Sequence, residues 1–388
     1  MTLLTRLSIR LILAGCLLAP AFWVIAQVPR PAATHQNLRS EGFFEEVHAV
    51  KLPLRRYGYR GLMGDIVELN DSRLLMTYTQ YDSAGEHTGG IAGRASTDQG
   101  RSWGPEFGLV ARPTPPSAAG YHHPSFFRLG NGDLLLSYNY YVRDSRPVFK
   151  VTYYRRSIDD GKTWGDQLFM ALDAAHNDKV TQLSSGRLLV PVEKELEVTG
   201  GDHRGYVSCV YYSDNDGYSW RRSRNEVNML PVEAQEPHVV ELKDGRLLML
   251  VRTYSGYVGK AYSEDRGETW SKGVAIPELS LPPNSSALNV KRIPTTGDLL
   301  LVRSGGGADG MRTPFVSAIS QDEGQTWVHQ RIIAGDPSDD YGYPSLTFLK
   351  DVALVGYHKR DGLYVARIAA DWFYERVPAA GGRGAGEK

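Results

Sequence analysis

The strongest constraint on the fold is an eight-residue polar turn ending in tryptophan that occurs five times. The copies "STDQGRSW", "SIDDGKTW", "SDNDGYSW", "SEDRGETW" and "SQDEGQTW" begin at Ser96, Ser157, Ser213, Ser263 and Ser320. Consecutive copies are therefore 61, 56, 50 and 57 residues apart. In a chain of 388 residues, this regular spacing favours one large repeat architecture over two or three unrelated domains.

A β-hairpin recurs between these turns. Each copy has an apolar alternating strand, a short polar turn and a second strand that starts with two leucines or their equivalent. Asn-Gly, Ser-Gly, Asp-Gly and Thr-Gly pairs stand where hairpin turns need positive φ. The copies read "DIVELNDSRLLMTYT", "SFFRLGNGDLLLSYNY", "KVTQLSSGRLLVPVE", "HVVELKDGRLLMLVR", "NVKRIPTTGDLLLVR" and "SLTFLKDVALVGYH".

Six hairpins predict an all-β, six-bladed β-propeller. A further strand and the repeated turn follow each of the first five hairpins, whereas "GLYVARIAADWFYE" follows the sixth without such a turn. The segment "FEEVHAVKLP" near the N-terminus is a strand with no hairpin of its own. We expect it to complete the last blade, because a closed ring leaves no open sheet edge.

The repeated turn itself has a structural interpretation. Its aspartate can accept backbone N–H bonds, its glycine can adopt the left-handed conformation, and its tryptophan can pack under the neighbouring blade. The third copy has Asn215 at the aspartate position, and an amide can make much the same bonds.

The N-terminus has the pattern of a secretory signal. Arg6 and Arg10 precede sixteen uncharged, mostly apolar residues, which is short for a membrane span. We predict a signal peptide at 1–26, a linker at 27–40, the propeller at 41–376 and a disordered tail at 377–388. Export to the periplasm or the exterior follows. Lipidation at Cys16 is the disfavoured alternative, because few apolar residues separate Arg10 from that cysteine.

Composition excludes several function classes. The chain has 44 basic and 44 acidic residues, so its formal net charge is zero, and we expect neither nucleic acid nor an anionic membrane surface as a partner. Cys209 is the only cysteine after the predicted signal. We therefore expect no internal disulfide, and no residue spacing predicts a metal or another cofactor.

The repeated turn resembles the Asp box, or BNR repeat, of bacterial exo-sialidases (neuraminidases), whose catalytic domain is a six-bladed propeller. The resemblance implies a secreted glycoside hydrolase that removes a terminal sialic acid from a glycan. Two alternatives stay open: an enzyme acting on another 2-keto acid sugar, and a non-catalytic propeller that binds acidic glycans.

Topology indicates which face carries a site. Residues just before the first strand of a blade, just after its second and just before its third share one end of the propeller, which we call the upper face. The Asp-box turns lie at the opposite end. We therefore expect functional residues around the axis on the upper face.

Four residues at such positions match the sialidase pattern. Glu236 precedes the first strand of blade four, and Arg252 ends its second, sixteen residues later. Arg312 stands eight residues before an Asp-box serine. Tyr343 lies in "YGYPSLTFL", which resembles the segment carrying the nucleophilic tyrosine, with Pro344 in place of a serine.

The first blade supplies the remaining candidates. Arg60, in "YGYRGLMGDIVEL", resembles the first arginine of the family; the alternative is a surface arginine paired with Asp65 or a nearby acid. The family's general acid is an aspartate before the first Asp box. Asp82 lies fourteen residues before Ser96 and Glu86 lies ten, and both remain candidates.

These residue types suit the chemistry that the resemblance implies. Three arginines can bind the carboxylate on the anomeric carbon of a sialoside, and their guanidinium groups stay charged. That carboxylate would repel a carboxylate nucleophile, so neutral Tyr343 is the better attacker. A phenol has a pKa of about 10, so Glu236 would act as general base and take its proton.

Further polar residues have comparable upper-face positions. His122 and His123 precede blade two, where they would line a subsite or stack and hydrogen-bond at the rim. The corresponding residues of blades three and five are Asn177, Asp178 and Asn284. The sequence predicts no oligomeric state.

Overall fold

The structure is a computed structural model that describes residues 44–56, 58–113, 119–142, 149–175, 180–196, 205–282, 285–305 and 310–374. The predicted signal peptide with Cys16, the linker and the tail lie outside the described residues. So do three of the upper-face candidates, Asn177, Asp178 and Asn284.

Six antiparallel sheets of four strands each confirm the predicted six-bladed propeller. The first three sheets along the chain have the following strands. Blade 1 comprises β2 (Gly64–Glu68), β3 (Leu74–Tyr81), β4 (His87–Ser96) and β5 (Phe107–Val110). Blade 2 comprises β6 (Ala119–Arg128), β7 (Leu134–Val142), β8 (Phe149–Ser157) and β9 (Leu168–Leu172). Blade 3 comprises β10 (Thr181–Gln182), β11 (Leu188–Leu196), β12 (Gly205–Ser213) and β13 (Arg221–Arg222).

The other three sheets follow the same order. Blade 4 comprises β14 (Gln235–Glu241), β15 (Leu247–Arg252), β16 (Tyr257–Ser263) and β17 (Val274–Ser280). Blade 5 comprises β18 (Leu288–Arg292), β19 (Leu299–Ser304), β20 (Phe315–Ser320) and β21 (Val328–Ala334). Blade 6 comprises β22 (Gly342–Leu349), β23 (Val352–Lys359), β24 (Gly362–Ala369) and β1 (Phe44–Lys51).

The ring closes as the sequence predicts. Strand β1 pairs antiparallel with β24, from Phe44 opposite Ile368 to Lys51 opposite Gly362. The last blade therefore combines the first strand of the chain with the last three, and β24 leads into a short 3-10 helix, Ala370–Phe373. This pairing removes the edge that an open ring would expose.

The hydrophobic core lies between blades. Six clusters of buried side chains each join two neighbouring sheets, including the pair formed by blades 6 and 1. The Asp-box tryptophans belong to this packing: Trp270 of blade 4 lies in one cluster with Leu189 and Val210 of blade 3. Each blade is thus stabilised by both neighbours.

The Asp-box turns share one set of hydrogen bonds. In the turn at Ser320, the Gly324 N–H donates to the serine hydroxyl (2.8 Å), and the Thr326 N–H and hydroxyl donate to Asp322 (2.8 and 2.6 Å). Gly324 has φ +80°. Equivalent bonds occur in the turns at Ser96, Ser157 and Ser263.

The asparagine variant of the turn makes the same contacts. The Ser219 N–H donates to Asn215 Oδ1 (2.9 Å), and the amide nitrogen of Asn215 donates to the Ser219 hydroxyl (3.0 Å). The amide therefore binds the same two groups as the carboxylate, but its nitrogen donates to the hydroxyl, whereas the aspartates accept from it. Within the described residues, no helix is long and apolar enough to cross a membrane.

Candidate active site

Three inner strands share one irregularity. His123 in blade 2, Glu236 in blade 4 and Tyr343 in blade 6 have φ values of 53°, 45° and 51°. Each lies at a register shift in the pairing of its strand, namely His122/Ser125, Gln235/His238 and Gly342/Ser345. Positive φ is unfavourable for such side chains and concentrates at functional sites.

A proline follows each of these three residues. The local sequences are "HHPSFF", "QEPHVV" and "GYPSLT". Proline has no backbone N–H to donate to the neighbouring strand, and it therefore accords with the departure from regular strand pairing. Pro344, which departs from the sialidase pattern, is thus one member of an internal repeat. The sequence contained this signal, and sequence reasoning did not use it.

Tyr343 and Glu236 are directly hydrogen-bonded. The Tyr343 hydroxyl donates to Glu236 Oε1 at 3.0 Å, and Arg252 Nη1 donates to the same oxygen at 2.8 Å. Arg252 Nε also donates to the Ser285 hydroxyl at 3.0 Å. Glu236 and Arg252 are 3% and 7% exposed. The structure thus brings together a phenol, a carboxylate and a guanidinium in a buried setting.

The electrostatics of this group favour a neutral tyrosine beside an ionised arginine. Burial raises the pKa of Tyr343 and the Glu236 carboxylate raises it further, although Arg252 and Arg312 oppose both effects. Burial alone would lower the pKa of Arg252, but Glu236 and Tyr343 outweigh it and the pKa is raised. A phenol in this state needs a base to become a nucleophile.

Arg312 is buried near the tyrosine. It is 5% exposed, and its guanidinium carbon lies 5.5 Å from the centroid of the Tyr343 ring. Its Nε and Nη1 have no hydrogen-bond acceptor among the described residues. Burial lowers the pKa of Arg312, and the charges of Arg252 and Arg60 lower it further. A bound anion would satisfy these donors and offset the repulsion among the arginines.

Arg60 belongs to the same site through Asp340. It lies in a 3-10 helix, Gly58–Gly61, and its Nε and Nη2 donate to the two oxygens of Asp340 at 2.6 and 2.9 Å. The fully buried Asp340 also accepts the Tyr59 hydroxyl and the backbone N–H of Arg312, both at 2.6 Å. One carboxylate therefore fixes Arg60 relative to Arg312.

Asp340 is ionised despite its burial. Burial raises its pKa, but the hydrogen bonds from Arg60 and Tyr59 outweigh that effect and leave the pKa below its ordinary value. Asp65, the partner considered for Arg60 from the sequence, instead accepts the Ser125 hydroxyl (2.9 Å) and the Phe126 N–H (2.8 Å). Sequence reasoning missed Asp340; an acid three residues before Tyr343 was its only signal.

The carboxylate of Glu193 binds the backbone of Glu236. Glu193 Oε2 accepts the backbone N–H of Glu236 at 3.3 Å, and Glu193 Oε1 accepts Lys150 Nζ at 3.2 Å. Lys150 in turn lies over the rings of Tyr141 and Tyr206. No sequence pattern indicated this chain of contacts across blades 2, 3 and 4.

The two histidines of blade 2 have different surroundings. The His122 ring stacks between His87 and Tyr141, at centroid distances of 4.1 and 5.1 Å. The His123 ring lies 6.4 Å from the Tyr343 ring, and its Nδ1 is 3.2 Å from the Asn139 amide nitrogen. Of the two histidines, it is therefore His123 whose ring lies beside Tyr343.

The two candidate general acids lie in an exposed turn between β3 and β4. Asp82 Oδ1 accepts the backbone N–H of Glu86 at 2.8 Å, and the Glu86 carboxylate pairs with Arg55 at 2.8 Å while 69% of its side chain is exposed. Among the described residues, neither carboxylate has a hydrogen bond or ion pair with Tyr343 or Glu236. The choice between them stays a prediction.

A neutral histidine packs behind the tyrosine. His358 is fully buried, with its ring 5.7 Å from that of Tyr343 and 5.3 Å from that of Tyr59. Burial lowers the pKa of His358 to about 3.

Across the described part of the chain, no cluster of three His, Cys, Asp or Glu side chains has the arrangement of a metal site.

Comparison with known proteins agrees with this architecture. The family model of the BNR repeat-like domain matches residues 65–356, which cover most of the propeller. The chain belongs to the BNR repeat-like domain family. The predicted resemblance to sialidase propellers is thereby confirmed.

Sialidases are among the relatives of this BNR repeat-like protein. The Micromonospora viridifaciens sialidase is 25% identical over 321 residues, covering 72% of this chain and 47% of its own length. The Macrobdella decora anhydrosialidase is 28% identical over 175 residues, covering 41% of this chain and 22% of its own. The chain thus spans less than half the length of these relatives.

Solved structures share the fold. A Dyadobacter fermentans protein of unknown function has a TM-score of 0.63 at 16% identity, covering 84% of this chain and 99% of its own. The Trypanosoma rangeli sialidase in complex with 2,3-difluorosialic acid has a TM-score of 0.62 at 16% identity, covering 85% and 59%. At such identities the likeness concerns the fold alone.

Proposed function

We propose that this BNR repeat-like propeller is a retaining glycoside hydrolase that removes a terminal sialic acid, or a related 2-keto acid sugar, from a glycan. One observation carries the proposal: the Tyr343 hydroxyl donates to Glu236 Oε1 beside the buried, partly unsatisfied guanidinium of Arg312. The sialidase relatives and the covalent intermediate named for the Trypanosoma rangeli sialidase support it.

In this proposal, the three arginines hold the substrate carboxylate. Arg312 supplies the buried N–H donors that have no acceptor among the described residues. Arg252 is anchored by Glu236 and Ser285, and Arg60 by Asp340. Guanidinium groups fixed in this way bind a carboxylate with little further loss of side-chain entropy.

The proposed chemistry is nucleophilic substitution in two steps. Tyr343 Oη attacks the anomeric carbon while its proton passes to Glu236 Oε1, to which it is already hydrogen-bonded. The bond from the anomeric carbon to the leaving glycan breaks, and a tyrosyl intermediate forms. Water then releases the sugar with net retention of configuration.

A neutral phenol suits this substrate for an electrostatic reason. The substrate carboxylate lies on the carbon that is attacked, so an anionic nucleophile would be repelled. The raised pKa of Tyr343 keeps the phenol neutral until attack, and Glu236 takes the proton only as the bond forms. A non-catalytic propeller that binds acidic glycans would need the arginines but no base-tyrosine pair.

The test is a screen of the purified protein against aryl glycosides of several 2-keto acid sugars. We expect hydrolysis of at least one, with Tyr343→Phe as the matched control that keeps the ring and loses the nucleophile. A 3-fluoro analogue of the hydrolysed sugar should label Tyr343, as read by mass spectrometry of the digested protein. Binding of acidic glycans without hydrolysis or labelling would contradict the proposal and favour the binding function.

We also propose that the protein is exported by the segment at 1–26 and acts in the periplasm or outside the cell. Sequencing the N-terminus of the protein isolated from its producing cells tests this. A start near residue 27 is expected, whereas a lipid-modified Cys16 would indicate membrane anchoring instead.

A further inference from the structure

We propose that His123 is the proton donor to the leaving group, in the role that the sialidase pattern gives to an aspartate. This inference rests on the proposed function. It starts from the repeat of left-handed residues before proline, whose other two members are the proposed nucleophile Tyr343 and base Glu236. His123 is the third member, and its ring lies 6.4 Å from that of Tyr343.

Burial separates His123 from the two carboxylates predicted from the sequence. His123 is 8% exposed and lies on the innermost strand of blade 2. Asp82 holds a surface turn together, and Glu86 pairs with Arg55 in solvent. A group that protonates a leaving oxygen must lie near the anomeric carbon that the nucleophile attacks. His123 meets this condition through its contact with Tyr343.

The hydrogen bonds at Nδ1 orient the ring. The Asn139 amide is fixed, because its oxygen accepts the Thr152 hydroxyl (2.7 Å) and its nitrogen donates to the Ala175 carbonyl. That nitrogen also lies 3.2 Å from His123 Nδ1. This amide can donate to Nδ1 while Nδ1 carries no proton, and the proton of that neutral tautomer is on Nε2.

The Tyr141 hydroxyl allows the same ring to be protonated. It lies 3.3 Å from His123 Nδ1 and 3.4 Å from the Asn139 amide nitrogen. Burial raises the pKa of Tyr141, so the phenol stays protonated. A phenol can donate to the neutral imidazole or accept from the imidazolium, because its hydroxyl hydrogen rotates. His123 can thus exist in both states that an acid-base residue needs.

The His123 imidazolium gives its Nε2 proton to the glycosidic oxygen as the bond to the anomeric carbon breaks. The neutral ring that remains keeps its proton on Nδ1, which donates to the Tyr141 hydroxyl. Tyr343 Oη bonds to that carbon and its proton goes to Glu236. In the second half, neutral Nε2 takes a proton from water, the hydroxyl bonds to the anomeric carbon, and Glu236 returns its proton to Tyr343 as the tyrosyl bond breaks.

The decisive experiment compares leaving groups. Sialic acid, or the 2-keto acid sugar that the aryl screen selects, is presented once on 4-nitrophenol and once on lactose. The test variant is His123→Asn, since asparagine tolerates positive φ and cannot donate a proton of comparable acidity. The control is His122→Gln, the adjacent histidine that stacks on His87. Asp82→Asn and Glu86→Gln test the competing assignment of the acid.

A poor leaving group needs protonation, and 4-nitrophenolate does not. We therefore expect His123→Asn to reduce kcat/KM for the lactoside by about 10²- to 10⁴-fold and for the nitrophenyl glycoside by less than about tenfold. Azide, an anion that needs no base, should restore turnover of the nitrophenyl glycoside in this variant and leave the wild type unchanged. The control His122→Gln should retain both activities, and neither Asp82→Asn nor Glu86→Gln should lose more activity on the lactoside than on the nitrophenyl glycoside.

Distinct results would overturn the inference. Equal losses on both substrates, or no azide rescue, would mean that His123 has only a structural role. Leaving-group dependence in Asp82→Asn or Glu86→Gln would assign the acid to that turn instead. A wild-type protein inactive on both glycosides would refute the proposed function itself, and this outcome differs from an active wild type with a normal His123→Asn variant. If His123→Asn unfolds, His123→Gln provides the same comparison.

Discussion

The Asp-box turns at the lower end of the propeller and the arginine site at the upper end differ in how far their hydrogen bonds reach along the chain. In each Asp-box turn, the serine hydroxyl and the aspartate or asparagine bind groups at most four residues away. At the upper end, Tyr343 binds a glutamate 107 residues away, and Arg60 binds an aspartate 280 residues away. One end consists of repeated local motifs and the other of single contacts between blades.

The two ends also differ in electrostatic cost. The lower turns place their carboxylates at or near the surface, with hydrogen bonds from hydroxyl and backbone groups. The upper end buries Glu236, Arg252, Arg312 and Asp340, and in the described part of the chain two donors of Arg312 have no acceptor. Buried charges of this kind contribute little to the stability of the fold. They are found most often at functional sites. The difference indicates that the lower end stabilises the fold and that the upper end is the candidate functional site.

The largest expected effect is the loss of activity when the hydrogen-bonded pair is removed. Tyr343→Phe and Glu236→Gln should each lower kcat by about 10³-fold or more, and the double variant should lose little beyond that, because units of this kind are strongly non-additive. Steady-state kinetics on the best aryl glycoside measure the cycle. Independent, additive losses would mean that the two residues act separately and that the pairing is only structural.

The second effect is on stability, at Asp340. Asp340→Asn should lower the free energy of unfolding by about 2 to 4 kcal/mol, because it leaves the Arg60 guanidinium without its carboxylate and weakens the acceptor of the Arg312 backbone N–H. Denaturant unfolding measures this change. As a control, Asp71→Asn removes an exposed acid paired with Arg73 and should leave the unfolding midpoint unchanged.

The contribution of Asp340 has a defined pH dependence. Its pKa is lower in the folded chain than in the unfolded one, so the folded state favours the ionised form. The stability difference between wild type and Asp340→Asn should therefore be complete above the unfolded pKa of about 3.9 and disappear as pH falls through the folded value. A difference that is constant throughout acid titration would contradict ion pairing at this carboxylate.

A third, smaller effect is expected at Arg312. Arg312→Lys keeps the charge but loses the planar donors, so substrate affinity should fall by about 1 to 3 kcal/mol with the fold unchanged. Calorimetry with the acidic sugar product or a non-hydrolysed analogue gives the value. Arg246→Lys, at an exposed pair with Asp244, is the matched control. Unchanged affinity in Arg312→Lys would place the carboxylate elsewhere.

The smallest effects belong to the lower end. Asp322→Ala removes the acceptor of three hydrogen bonds in its turn and should cost about 1 kcal/mol of stability, with kcat unchanged. Asn215→Asp should change stability by less than about 0.5 kcal/mol, because the amide already makes the same contacts. Differential scanning calorimetry and an activity assay read both variants. Loss of activity in Asp322→Ala would contradict the assignment of a purely structural role to the lower end.

Much of the fold was predictable because its determinants are local. The five turns fix their own conformation through hydroxyl, carboxylate and glycine within eight residues, and the hairpins are set by alternation and Gly-containing turns. Counting them predicts six blades, and the unpaired strand Phe44–Lys51 predicts closure onto β24. Register relative to these repeats also placed Glu236, Arg252, Arg312 and Tyr343 on one face; their roles stay predictions.

The sequence by itself thus determined the number of blades, the closure and the face that carries the candidate site. Only the tertiary structure decided that Asp340 joins Arg60 to Arg312, that Glu193 supports Glu236, and that His123 rather than the turn of Asp82 and Glu86 contacts Tyr343. The physical reason is distance along the chain. The groups of a turn bind one another within a few residues. The partner of a buried charge can be any residue that the fold brings to the axis of the ring, however distant it is along the chain.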